Sequence, residues 1–475
     1  MPPNAELVAA VDEAGWSPGR LADRVNALVG AGYVARTTVV GWLRDNRLPR
    51  DPLPTVVAHV LSEVLGRPVD VRWLWQGRVE PSAMWVPANA GMDVPWHLGG
   101  IVTLMRNWPT PGGDTVDRRV FLAVSGAALT GPAWQYVDRL GIGQPALGGL
   151  GAAEAGKISH GMVDILDSTI RRLRDLDDRE GGEQENLRFV HREFDAVAGL
   201  VRTGQPADSA VMARLLGNWA QLGQLAGWMA YDGQQHGLAQ RYYRTALHAA
   251  HAAGDRALGA HILACMSYQA TDRGRFDDAI QLAEAATEAA EGTPAAARSL
   301  VSTWYGFALA AHGNQIGFRQ AIEKARDLLE QPDALEERPP WLYWYDGRQL
   351  EVEAGQALVR LAMITTRDPK STVEEAHAHL ASRVDPTSTS GPRSSLFHGS
   401  WLARALVRGG DIEAAVAVGR DSLDRLKVTR SPRALTQLCH LHEDLATTRG
   451  ATTNPPVVAL RSDLREALTL PPPRS

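Results

Sequence analysis

The sequence predicts an all-α protein, and three observations predict it. From about residue 150 onward the chain is rich in Ala and Leu at helical spacing, with no credible run of alternating strand residues. Those helical stretches break at Asp232-Gly233, Arg273-Gly274, His312-Gly313 and Gly409-Gly410, and the first two intervals are 41 and 39 residues, a period that marks arrays of helical hairpins. Residues 1 to 76 contain short amphipathic segments joined by tight Gly-containing turns. Three regions follow: a bundle at 1–76, a connector with a docking helix at 77–149, and a helical array at 150–470.

In the first region Leu7, Val8, Val11 and Ala14 form one apolar stripe. Gly15 and Trp16 break it, and Ser17 as N-cap with Pro18 at the first helical position opens a second helix with the stripe Leu21, Ala22, Val25, Leu28 and Val29. After the turn at 30–33 comes RTTVVGWLRDN, and Pro54 opens a fourth helix with Val57, Val60, Leu61, Val64 and Leu65 inward, ended by Gly66 and Pro68. A helix-turn-helix domain needs such short braced helices, because its third must enter a major groove. With Val39 and Leu43 inward and Trp42 at the margin, 100° per residue turns Thr37, Gly41 and Arg44 outward, with Thr38 and Asp45 beside them. Arg44 is placed for a bidentate guanine contact, Thr37 and Thr38 for a thymine methyl or phosphate, Gly41 for close backbone approach, and Arg20, Arg36, Arg47 and Arg50 for phosphates.

Residues 77–117 carry Pro, Gly and Trp without a sustained period and are expected to pack through their tryptophans. Arg118-Arg119-Val120-Phe121-Leu122 imitates a twin-arginine export signal but lies far from the N-terminus, so a helix docking the connector on the array is expected there. Gly151 to Lys157 has phosphate-loop spacing, yet Ile158 stands where Ser or Thr must hold magnesium, and the segment is expected to begin a helix through Met162, Ile165 and Leu166. In the array, counting from Gly274, Phe276, Ala279, Ile280 and Ala283 fall at the offsets that Ile412, Ala415, Val416 and Gly419 occupy after Gly410. GRFDDAIQLAEAA looks like the second helix of a tetratricopeptide repeat, where a small residue at +5 lets two helices approach. About five hairpins are expected, the missing turn falling at 367–370, stacked as a tetratricopeptide-like solenoid with a concave binding surface.

Composition narrows the function. At 475 residues and 44% apolar content the chain is long enough for large packed cores. Its two cysteines, Cys265 and Cys439, exclude a disulfide framework, and an N-terminus without a basic patch or apolar run fits a cytoplasmic protein. The net charge of −5 argues against wholesale nucleic-acid coating, but Arg20 to Arg50 holds six arginines against two aspartates, while residues 1–76 balance eight basic with eight acidic side chains. His248 and His251, His377 and His379, and Cys439 with His440 and His442 lack metal-site spacing, and no catalytic constellation stands in a credible context. No enzyme activity, metal or cofactor is expected. The densest aromatic cluster, Trp341, Tyr343, Trp344 and Tyr345 followed by Asp346, is the candidate effector site.

With both halves in view the chain resembles the Streptomyces-type transcriptional regulators that join an N-terminal helix-turn-helix to a tetratricopeptide-like array, the NsdA type among them. The stretches carrying the likeness are SPGRLADRVNALV, RTTVVGWLRDNRLPR, HVLSEVLGRPV, DRRVFLAVSGAAL, LRDLDDREGG, WLYWYDGRQLEVEAGQALVRL and SPRALTQLCHLHEDLATTRG. The resemblance implies repression of developmental or antibiotic genes, and in architecture the chain is similar to the Gram-positive peptide-sensing regulators. The expected partners are double-stranded DNA, a second copy of the chain, and a peptide or small-molecule effector, with no membrane. The competing expectation is a protein-interaction scaffold whose N-terminal bundle binds another protein.

Overall fold

Polar caps set where the first helices begin. In the computed structural model, which describes residues 2–29, 33–81, 85–108, 120–141, 157–365, 369–384, 391–429, 431–448 and 453–469, the Asn4 side chain accepts from the Leu7 amide at the head of α1 (Ala5–Glu13). Ser17 does the same for Arg20 before α2 (Pro18–Val29), as its sequence position implies. Then come α3 (Arg36–Arg44), α4 (Leu53–Leu65) and the single turn α5 (Val71–Leu74). One apolar core joins all five, with Leu7, Leu21, Val25, Val39 and Leu61 at its centre and Trp42 edge-on to Trp75 at 6.2 Å. Trp42 is therefore core and not margin, whereas Val64, expected inside, is 38% exposed. Gly66 ends α4 in the left-handed region; the turn at 30–32 lies outside the described residues.

The connector has more regular structure than its composition suggests. It contains β1 (Trp85–Pro87), α6 (Leu98–Asn107), β2 (Val120–Leu122) and α7 (Ala127–Val137), and β1 pairs in parallel with β2, Val86 opposite Phe121. A strand, not the expected docking helix, thus follows Arg118 and Arg119, which lie outside the described residues. Three residues are too few to reveal a period of two. The tryptophans do pack: Trp96 stacks on His248 with centroids 3.8 Å apart, and the Trp108 indole donates to Thr245 Oγ1 at 3.0 Å.

Lys157 and Ile158 form β3, paired in parallel with β4 (Gln205–Pro206), so the helix expected from 151 starts later, at α8 (His160–Glu180); residues 151–156 lie outside the described residues. The remaining helices are α9 (Gln184–Thr203), α10 (Ser209–Asp232), α11 (His236–Ala253), α12 (Arg256–Asp272), α13 (Phe276–Ala289), α14 (Ala295–His312), α15 (Gln315–Leu329), α16 (Gly347–Ile364), α17 (Lys370–Val384), α18 (Pro392–Gly409), α19 (Ile412–Leu426), α20 (Pro432–Thr447) and α21 (Pro455–Thr469). The regular structure of the described residues is thus almost entirely helical. Each even-numbered helix from α10 packs on its successor, giving six pairs, and the even-numbered helices also pack on one another from α10 to α20.

The helices break where the glycines predict. Gly274, Gly313 and Gly410 adopt φ of 70°, 91° and 84° at the turns of three pairs. At the α10–α11 turn the left-handed residue is instead Gln234, φ 62°. The turn expected at 367–370 falls between α16 and α17, with 366–368 outside the described residues. Ala279 and Ala415, the two residues at +5, are fully buried. The main core runs from Trp96 to Ala415, and a further core of Leu396, Leu438, Leu441, Leu460 and Leu464 fills the last pairs.

Two polar contacts tie distant parts together. Glu63 on α4 accepts from Arg273 Nη2 at 2.8 Å, and its backbone carbonyl accepts from Arg275 Nη2 at 2.6 Å, so the N-terminal bundle sits on the α12–α13 turn. Asp232, at the end of α10, accepts from Arg393 Nη2 of α18 at 2.5 Å and from Arg433 Nε of α20 at 2.7 Å. That buried contact brings the last pairs of the stack back onto α10.

Candidate functional site

On α3 the apolar residues Val39, Trp42 and Leu43 are buried, Thr37 and Arg44 are exposed on the opposite side of the helix, and Arg36 and Thr38 are exposed in its first turn. Arg20, Arg47 and Arg50 are exposed around it. Only Arg47 among these arginines enters an ion pair within the described residues, a solvated one with Asp45 at 3.2 Å. Such pairs contribute little, so the positive charge of this face stays available to a partner.

Gly41 departs from expectation. The chain folds back after α3, the Arg47 amide donates to the Gly41 carbonyl at 3.2 Å, and a Cβ at Gly41 would meet Arg47 Cδ at 3.3 Å. Gly41 is buried beneath Arg47, which takes over the outward position assigned to bare backbone. Helical periodicity could not reveal this, because the covering residue comes from the loop beyond the helix.

The aromatic cluster divides. Tyr343 and Trp344 line a cavity of about 270 Å³ on the inner side of the stack, bounded by α8, α10, α12, α14, α16, α18 and α20. Trp341 is buried against His261, its ring parallel at 4.8 Å, and lines an adjoining cavity instead. Tyr345 is buried and hydrogen-bonds Ser299 and Thr303, and Asp346 caps α16 by accepting from the Gln349 amide. These last three residues are structural parts of the wall, not its lining.

One wall of the cavity is aromatic: Trp228 and Trp304 lie nearly parallel with centroids 5.8 Å apart, Trp344 follows Trp304 at 6.2 Å, and Tyr268 closes the row. The other wall is charged and includes Arg174, Asp177, Asp178, Glu353, Arg393 and Arg433. Arg433 is also clamped between aromatic faces, 4.5 Å from the Phe397 centroid and 4.8 Å from that of Tyr231. Burial acts to raise the Asp232 carboxyl, but the Arg433 and Arg393 guanidiniums outweigh it and hold Asp232 down at about 2. At Asp177 and Glu353 burial outweighs the guanidiniums nearby and pushes each carboxyl up to about 7. His398 is neutral: burial lowers it to about 4, Nδ1 donates to the Ser394 carbonyl at 2.7 Å, and Nε2 accepts from Gln356 at 2.6 Å.

The sequence reading missed Arg174, Asp177, Glu353, Arg393 and Arg433. Glu353 carried a signal, a charge within the Ala- and Leu-rich run of α16, but Arg174 and Asp177 sit in the charged run RRLRDLDDRE, where nothing in the sequence singles them out. His248 and His251 pack against Trp96 in the core, and His379 pairs with Glu351 at 3.0 Å. Among the described residues no group of His, Cys, Asp or Glu is arranged to hold a metal, and no helix is long and apolar enough to cross a membrane.

Residues 7–74, the span from α1 through α5, match the family model of the SP15 N-terminal domain. Comparison with curated proteins returns no match. The family match covers the N-terminal bundle.

Proposed function

We propose that the protein is a sequence-specific DNA-binding transcriptional regulator, a repressor of developmental or secondary-metabolism genes. Its first 76 residues act as a helix-turn-helix head and its stacked helix pairs as a tetratricopeptide-like solenoid for dimerisation and effector binding. The observation that carries the reading is the two-sidedness of α3, with Val39, Trp42 and Leu43 buried while Arg36, Thr37, Thr38 and Arg44 are exposed on a helix rimmed by Arg20, Arg47 and Arg50. The head is neutral overall and binds weakly alone; a twofold pair of heads meeting half-sites about 34 Å apart, or a multiple of that, multiplies two modest contacts into useful affinity. The cavity facing Trp344 is the effector site of this proposal, and the α12–α13 turn that carries Arg273 links its wall to α4 of the head.

The test is footprinting on genomic fragments under salt titration, beginning upstream of the protein's own gene. A footprint that weakens steeply with salt supports the reading. Arg44→Ala should relax base preference at one position, at a cost of about 1–3 kcal/mol, while Arg50→Ala should weaken all sequences alike. Equal effects of the two substitutions would refute the assigned face, and no footprint at any salt would favour the protein-interaction scaffold.

A further inference from the structure

Side chains in the wall of the cavity behind Trp344 carry buried polar atoms that no other described residue satisfies. Glu353 is 7% exposed; its Oε1 accepts from Gln349 Nε2 at 2.9 Å, and Oε2 has no partner. Asp177 Oδ1 is likewise orphaned at 7% exposure. Arg174, again 7% exposed, uses Nη1 on Gln224 Oε1 at 3.2 Å and leaves Nε and Nη2 without acceptors. A buried polar group left unpaired costs about 1–3 kcal/mol, and more if charged, so folded chains leave few of them. His261 Nδ1, Trp304 Nε1 and Arg393 Nε are unpartnered too, and six such side chains around one cavity are an arrangement completed by a ligand.

Charge and shape say which ligand. Asp232 already neutralises part of the charge of Arg393 and Arg433, and with it included four carboxylates, Asp177, Asp178, Asp232 and Glu353, face three guanidiniums, Arg174, Arg393 and Arg433. With all four ionised the surplus is negative, and a bound cation would hold Glu353 and Asp177, raised by burial, in that form. The opposite wall offers the faces of Trp228, Trp304 and Trp344, which attract a cation and accept a flat apolar group. Gln356, Tyr268 and His398 are satisfied among themselves and make no demand on a ligand. A simple anion would meet Arg174 but would leave Glu353 and Asp177 facing like charge.

We propose that this cavity binds a small organic amine that carries a flat apolar body and an acceptor oxygen, with its ammonium on Glu353 Oε2, its body against the tryptophans and its oxygen on Arg174. The raised carboxyls of Glu353 and Asp177 agree with sites that lack their cation. The inference rests on reading the stacked helices as the effector-binding half and is independent of whether the head binds DNA.

The probe is phenylalanine amide, which has an ammonium, a ring and a carbonyl oxygen, titrated into the full chain without DNA. Binding is followed by calorimetry and by quenching of tryptophan fluorescence. Saturable binding is expected, weakened at least about tenfold in Glu353→Gln, a loss of roughly 1.4 kcal/mol. N-acetylphenylalanine amide, whose nitrogen carries no charge, should not compete. Trp344→Ala, at a half-buried position, is a second variant and should weaken binding while leaving the circular dichroism unchanged. The proposal is overturned if the probe fails to saturate up to about 10 mM, well past the affinity of a single good contact, if Glu353→Gln and Trp344→Ala both bind as the parent does, or if the acetylated compound binds equally well. These outcomes leave the footprint on DNA untouched, so failure here and failure of the DNA reading are distinguishable.

Discussion

Replacing Asp232 by Asn tests the contact that brings the end of the stack back to α10. The side chain is 1% exposed and accepts from two guanidiniums and from the Gly182 amide at 3.2 Å. The displacement of its carboxyl from 3.8 to about 2 corresponds to roughly 2 kcal/mol of preference for the ionised form in the folded chain. Removing the charge costs more than this, because Arg393 and Arg433 are left buried without a counter-ion, and breaking such a pair costs about 3–5 kcal/mol. Because the folded carboxyl is depressed, its contribution is complete above the unfolded value of 3.8 and disappears as pH falls through about 2. Urea unfolding of parent and Asp232→Asn, followed by tryptophan fluorescence since Arg433 lies over Trp228, should therefore differ by several kcal/mol at pH 7. The gap should narrow between pH 4 and pH 2. A difference at pH 7 within about 1 kcal/mol, the size of a surface pair, would refute the reasoning, as would a gap independent of pH.

Other perturbations follow from the same geometry. Glu353→Gln should unfold like the parent near pH 4 and become more stable above pH 7, by up to roughly 3 kcal/mol, because a carboxyl raised to about 7 costs stability as pH rises from its unfolded value of 4.5; a parallel pH profile would count against this. Glu63→Gln should speed hydrogen exchange in α4 while leaving α12 protected, since Arg273 loses its buried partner, and unchanged exchange would show the bundle held by other means. Gly237→Ala should destabilise by about 1–3 kcal/mol, because a Cβ there would lie 1.9 Å from the Phe121 carbonyl oxygen, whereas Gly217→Ala, with nothing within 4 Å, should stabilise by about 0.5–1 kcal/mol in thermal melts. Thiol labelling of the native chain should modify Cys439, which is exposed, and spare Cys265, buried with its thiol pushed up to about 12.

Local signals were legible in the sequence. Ser17 and Pro18 begin α2 as their chemistry demands, and Gly274, Gly313 and Gly410 stand at the turns because only their backbone adopts those φ values cheaply. The exposure of Thr37, Thr38 and Arg44 follows from periodicity. What escaped depended on contacts distant in sequence. Arg47 covers Gly41 because a loop turns back, and β1 finds β2 only after the chain has passed through α6. Asp232 meets Arg393 and Arg433 from 161 and 201 residues away. The aromatic run at 341–346 did point to the cavity, but a list of rings cannot say that Tyr343 and Trp344 look inward while Trp341 and Tyr345 hold the wall.

The anchorage of Arg393 and Arg433 on Asp232 also constrains motion. A row of hinged panels with a free end can fan open one panel at a time, each joint yielding alone. Riveting the far panels to the near one turns the row into a loop, where a change of angle at any joint must be absorbed by all the others. Such a frame moves as a whole or holds still.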